Sequence, residues 1–128
     1  MRILLDTQVF LWWIAADERL SSLSGGIMQD GSNELLFSAA SGWEIAIKAG
    51  LGRIELPRPL ERFISDQLSR NRISVLPVHL SHALHVDSLP LHHRDPFDRM
   101  LVAQAQLEDV PILSSDSWLS KYDVEVLW

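Results

Sequence analysis

The chain reads as an α/β protein, a three-layer α/β/α sandwich around a central, mainly parallel sheet. Three observations predict it. Short apolar runs of the kind buried on both faces of a parallel sheet recur along the chain: Ile3-Leu4-Leu5, Leu35-Leu36-Phe37 and Val110-Pro111-Ile112-Leu113. Segments with helical periodicity alternate with them. Four acids, Asp6, Glu44, Asp98 and Asp116, each stand just past such a run or in the opening of the helix that follows.

The elements follow in order. Residues 2–5 form a buried strand, and Thr7 to Ala16 reads as a helix. A second helix spans Ser21 to Gln29 and stops near Asp30-Gly31. Residues 34–37 form the second strand, and Ala40 to Ala49 a helix that Gly50 and Gly52 end. After the linker Leu56-Pro57-Arg58-Pro59, Leu60 to Arg70 is an amphipathic helix with Phe63, Ile64 and Leu68 on one side. Ile73 to Val78 is the third strand, Ser81 to Ser88 a short helix, and Leu89-Pro90-Leu91 a turn. Asp95 suits an N-cap and Pro96 the first helical position of a helix that runs to Glu108. Val110 to Leu113 is the fourth strand, a short helix follows Asp116, and Glu125 to Trp128 is the last strand. No repeat or low-complexity tract breaks the pattern, so residues 1–128 are expected to form one domain.

The 128 residues are 47% hydrophobic and 22% charged, an ordinary globular composition. Cysteine is absent, which excludes disulfides and thiolate metal sites. The start of the chain lacks a signal-peptide pattern, and the longest apolar run, Val9 to Ala16, is too short to span a bilayer. A cytoplasmic location without membrane attachment is the expectation. Net charge is −6, which argues against binding nucleic acid by bulk electrostatics. Residues 46–75 nevertheless carry +3, through Lys48, Arg53, Arg58, Arg62, Arg70 and Arg72 against three acids. That segment is either a solvated helix face or a basic rim that holds a phosphate backbone.

The acids carry the chemistry. If the strands share one parallel sheet, all four carboxylates reach its carboxyl edge, where ligand sites of open α/β sheets lie. Gathered carboxylates resist joint ionisation, and a hard divalent cation relieves them, since Mg²⁺ and Mn²⁺ favour oxygen ligands. Each acid also has a purely structural reading. Asp6 and Asp116 suit helix caps, Ser41-Gly42-Trp43-Glu44 reads as a capping box, and Asp98 complements a helix dipole. Thr7 either orients the cluster or caps. The histidines (His79, His82, His85, His92 and His93) read as surface or loop residues, since no His-Glu-x-x-His pattern is present. The Thr7–Ala16 helix is apolar all round, so one side is expected to pack on the sheet and the other on a second chain.

These segments together resemble the PIN-domain family, in particular its VapC toxins. Asp6-Thr7 followed by Phe10-Leu11-Trp12-Trp13 is similar to the family's opening. Ser41 to Lys48 is similar to its second acidic motif, His93 to Leu101 with Ala103-Gln104-Ala105 to its third, and Ile112 to Asp116 to its fourth. The resemblance runs the length of the chain. It implies a Mg²⁺- or Mn²⁺-dependent endoribonuclease, the toxin half of a type II toxin–antitoxin pair, acting on RNA as a homodimer with a cognate antitoxin. It implies that Asp6, Glu44, Asp98 and Asp116 are the catalytic, metal-binding acids, with Thr7 and Ser114 supporting them. Ser114 stands where the family often has threonine, and the hydroxyl is kept. Lys48, Arg94 and Arg99 are the expected phosphate contacts.

Other readings fit less well. A receiver-type phosphoacceptor needs a pair of acids after the first strand, where this chain has Asp6-Thr7. An Asp-x-Asp phosphatase needs an acid where Gln8 stands. A PIN-like module that binds RNA or a partner without cutting is the remaining alternative, and the presence of all four acids favours the enzyme.

Overall fold

The computed structural model describes residues 1–128. Strands β1 (Arg2–Leu5), β2 (Glu34–Ser38), β3 (Ile73–Leu76), β4 (Ile112–Leu113) and β5 (Val126–Leu127) form one sheet in the order β3-β2-β1-β4-β5. Every pairing is parallel. Six α-helices flank it: α1 (Thr7–Ile14), α2 (Ser22–Gln29), α3 (Ala39–Gly50), α4 (Leu60–Arg70), α5 (Leu80–His85) and α6 (Pro96–Glu108).

Strand alternation divides the core in two. Leu4 and Leu36 point to one side, where Leu101, Val102 and Ala105 of α6 cover them. Ile3, Leu5, Leu35 and Phe37 point to the other, against Phe10, Met28, Ile45 and Leu68. Both sides are dry, which is why the strands read as continuous apolar runs. The Phe10 and Phe37 rings meet at 4.6 Å. Asp109 takes a left-handed conformation (φ 55°) at the end of α6 and releases the chain toward β4.

The central strand β1 is the switch point. The chain builds outward from β1 to β2 and β3, then returns to place β4 on the other flank of β1. Crossovers therefore diverge at the carboxyl ends of β1 and β4, which leaves a crevice there.

Several boundaries differ from the sequence reading. The first helix stops at Ile14, and the third and last strands are shorter than expected. Pro77 follows β3 and cannot donate to a ladder. The expected helix from Ser81 to Ser88 is α5 continued by a 3₁₀ turn at Val86–Ser88, and the turn after Asp116 is also 3₁₀. The outer side of α1 is not a bare apolar face. Trp12 packs on Trp128, Arg19 lies over the Trp12 ring, and Trp13 Nε1 donates to Asn71 Oδ1. Large apolar side chains are well exposed on α3 and α5, at Trp43, Leu80 and Leu84.

Candidate metal centre

The crevice at the switch point holds the acids. Asp6 directly follows β1, and its N–H donates to Leu113 O at the end of β4. Asp6 begins α1 but its side chain makes no cap hydrogen bond. Its Oδ2 instead accepts from Ser114 Oγ at 2.6 Å. Ser114 Oγ also accepts the N–H of Asp116 at 3.0 Å, so one hydroxyl ties two acids together. Thr7 Oγ1 donates to Ser41 Oγ at 2.8 Å and joins the first turn of α1 to α3.

The capping box read at Ser41–Glu44 does not form. The helix starts earlier, with Ser38 as the cap accepting from Ala40 N–H. Glu44 thus sits a turn further in, where it is 8% exposed and bonded to Lys48 Nζ at 2.7 Å. At α6 the two nearby acids divide the work. Asp95 Oδ1 accepts from the N–H groups of Phe97 and Asp98 and caps the helix. Asp98 is left free to project, and Asp116 keeps Oδ2 free while Oδ1 accepts from Trp118 N–H. One cavity of about 270 Å³ is lined by Asp6, Glu44, Lys48, Asp95, Asp98 and Asp116.

The electrostatics are those of crowded anions. Asp98 is pushed up to about 8, first by burial and then by the charges of Asp6, Asp95, Asp116 and Glu44. Asp6 is raised chiefly by burial; the Ser114 hydrogen bond opposes this, while Glu44 and Asp116 add to it. Lys48 is the only cationic side chain lining the cavity. Carboxylates facing one cavity, with Asp6 and Asp98 raised by burial and by their neighbours' charges, fit a divalent cation that prefers oxygen.

The other sequence-predicted cations lie elsewhere. Arg94 lines a separate apolar groove with Trp43 and Phe97. Arg99 is committed to backbone carbonyls, donating to Pro90 O at 2.9 Å, Val86 O at 3.1 Å and Leu89 O at 3.4 Å. It pins the turn before α6. Conversely, one residue read as a loop histidine belongs to the site. His93 Nε2 lies 3.3 Å from Asp98 Oδ2 and 3.9 Å from Asp116 Oδ2. The ligand atoms of these three side chains all fall within 4.8 Å of one another. No local period in the sequence marks it, because the contact depends on a loop that folds back across the start of α6.

Comparison with known proteins agrees with this fold. The PIN domain family model matches residues 3–125. Ribonuclease VapC16 of Mycobacterium tuberculosis is 42% identical over 59 residues, which are 46% of this chain; the chain spans 42% of that relative's length. VapBC2 from Rickettsia felis, bound to a DNA fragment from their promoter, superposes with a TM-score of 0.71 at 11% identity, covering 99% of this chain and 98% of that one. DNA-bound VapBC from Salmonella typhimurium gives 0.70 at 14% identity, covering 99% and 97%. VapBC-1 from nontypeable Haemophilus influenzae gives 0.64 at 16% identity, with the same coverage. Likeness at such identities establishes the fold.

Proposed function

The chain belongs to the PIN domain family, and on that premise we propose that residues 1–128 act as one domain, an endoribonuclease that hydrolyses RNA phosphodiester bonds with Mg²⁺ or Mn²⁺. The carrying observation is the convergence of Asp6, Glu44, Asp98 and Asp116, from four separate segments, on one cavity. The ribonuclease relative and the VapBC neighbours support the same reading.

Asp6, Glu44, Asp98 and Asp116 would hold the cation. When bound, it supplies positive charge that favours ionised carboxylates, a more acidic water and a stabilised leaving oxygen. Ser114 fixes Asp6 by its donated hydrogen bond. Lys48 occupies one oxygen of Glu44 and leaves Oε1 to accept the proton of the attacking water. That water adds in line to phosphorus, the P–O3′ bond breaks, and O3′ takes a proton from solvent. The products carry 5′-phosphate and 3′-hydroxyl ends. A −6 chain becomes locally attractive to RNA once the acids are neutralised.

The biological assignment is the toxin of a type II pair, active in the cytoplasm, with an antitoxin partner and a homodimer as its assemblies. Trp43, at 64% exposure, and the apolar Leu80 and Leu84 support a protein interface that includes α3 and α5. Single-stranded RNA incubated with the purified chain and Mg²⁺ tests the activity. Cleavage is expected with Mg²⁺ and none with EDTA. RNA retained but uncut at saturating Mg²⁺ would instead make the chain a binding module.

A further inference from the structure

We infer that His93 is a positioning residue of this centre, an imidazole fixed with its Nε2–H facing Asp98 and Asp116, rather than a ligand of the cation. The inference rests on the metal-dependent reading above and adds a residue outside the four acids.

The wiring of the ring decides its role. His93 Nδ1 accepts the backbone N–H of Asp95 at 2.9 Å. A neutral imidazole has one donor and one acceptor nitrogen, so the hydrogen resides on Nε2. Nε2 is the nitrogen 3.3 Å from Asp98 Oδ2 and 3.9 Å from Asp116 Oδ2. A ligating histidine is wired the other way: one nitrogen coordinates and the other donates its N–H to an acceptor. Here the far nitrogen is already an acceptor, so the near one carries hydrogen and has no lone pair to offer.

The ring is held at Nδ1 and by its neighbours, with its side chain 23% exposed. Backbone N–H of His93 donates to Tyr122 Oη at 3.0 Å, and its ring stands edge-on to Trp118 at 6.0 Å. Tyr122 is buried. The two carboxylates come from different elements, Asp98 from the first turn of α6 and Asp116 from the loop after β4. Those elements are joined further back by Arg99, which donates to Tyr122 Oη at 3.3 Å, and by the packing of Leu101 against Leu119 and Tyr122. At the carboxylates themselves the Nε2–H dipole stands between the pair and offsets part of their repulsion.

His93→Gln and His93→Leu separate donor from bulk. Leucine removes both the acceptor for Asp95 N–H and the N–H that faces the carboxylates; glutamine keeps an acceptor and an N–H. Mn²⁺ titration by calorimetry is the first readout, and kcat and KM for RNA cleavage in Mg²⁺ the second. His93→Leu is expected to weaken Mn²⁺ binding about 10- to 100-fold and to lower kcat with KM little changed. His93→Gln should recover most of both. Parental Mn²⁺ affinity in a folded His93→Leu chain would overturn the inference, as would equal losses in the two variants. The parent chain supplies a test that needs no variant: ¹⁵N spectra of its histidine rings. An Nε2–H tautomer for His93 that persists when Mg²⁺ is added is expected, and loss of that hydrogen on Mg²⁺ addition would make His93 a ligand. A parent that binds Mn²⁺ and cuts RNA while His93→Leu matches it would remove this inference and leave the proposed function standing. A parent that binds no Mn²⁺ would remove both.

Discussion

Helix α6 meets a histidine and a carboxylate at each of its ends. At the C-terminal end, His82 Nδ1 accepts the N–H of His79 at 3.0 Å, and Nε2 contacts Glu108 Oε2 at 3.1 Å. At the N-terminal end, His93 Nδ1 accepts the N–H of Asp95, and Nε2 faces Asp98 and Asp116. The two rings are wired alike, but their surroundings differ. His82 is wholly buried beside one acid, so donor and acceptor are matched one to one. His93 is outnumbered: four carboxylates and the Asp95 cap share one histidine and Lys48. Matched burial stabilises a fold, whereas unmatched like charge costs stability and persists where an external partner supplies the balance. The contrast separates polar groups that hold the chain together from those that await a cation.

The largest effect expected from breaking this contrast is at the anionic end. Asp6→Asn or Asp98→Asn should lower Mg²⁺-dependent RNA cleavage at least about 100-fold, since each removes a charged oxygen donor from the centre. Gel-resolved cleavage of a labelled single-stranded RNA measures it. Parental rates in both variants would mean that the acids merely share an edge. The matched end should respond in the opposite currency. His82→Leu strands the His79 N–H and the Glu108 carboxylate, and should cost about 1–3 kcal/mol of stability. Chemical denaturation reads that loss, with Mn²⁺ affinity of the folded variant unchanged.

A pH series sharpens the difference. Asp98 titrates at about 8 in the folded chain against 3.8 for an ordinary aspartate. Between those values the folded chain keeps a proton that the unfolded chain has released. Stability of the metal-free protein therefore falls as pH rises from about 4 to about 8, and Asp6, raised in the same direction, adds to the slope. Discounted for solvent screening, the Asp98 contribution is on the order of 2 kcal/mol. Asp98→Asn should flatten the slope and raise the metal-free melting temperature above pH 8. Saturating Mg²⁺ should abolish the decline in the parent, because the cation binds the ionised form. An equal slope in Asp98→Asn would place the anionic strain elsewhere.

The same contrast explains what was legible in the sequence. The parallel sheet was readable because Ile3-Leu4-Leu5 and Leu35-Leu36-Phe37 are buried on both sides, and continuous apolarity is the signature of that burial. The position of the acids at one edge followed from topology, as helix N-termini converge there. Asp95 as cap followed from Pro96, which fixes the first helical position, whereas the choice of Asp98 over Asp95 for the site came from the family resemblance. Side-chain wiring was not readable. Ser38 rather than Ser41 caps α3, because the chain turns directly out of β2 into the helix without a loop. The role of Arg99 depends on a carbonyl cluster formed by residues 86–90, and that of His93 on a loop folding back across α6. Both are tertiary contacts with no local period. The contacts of α1 were hidden for a related reason: Trp128 and Asn71, distant in sequence, pack on its tryptophans.

Lys48 gives the finest test, because it stands between the two kinds of region. Its ammonium bonds Glu44 Oε2 four residues back, and its side chain is 42% exposed. As a half-solvated pair on one helix, the bridge should contribute only about 0.2–1 kcal/mol. Lys48→Met should thus lower the metal-free melting temperature by a few degrees at most, and the loss should shrink in high salt, where exposed pairs are screened. Mn²⁺ affinity should change little, since the cation supplies Glu44 with the charge that Lys48 had provided. A phosphate-binding role predicts another pattern: KM for RNA would rise about tenfold with melting unchanged. The bond to Glu44 favours the first outcome, because a lysine already paired in the free chain must give up that partner before it reaches a phosphate.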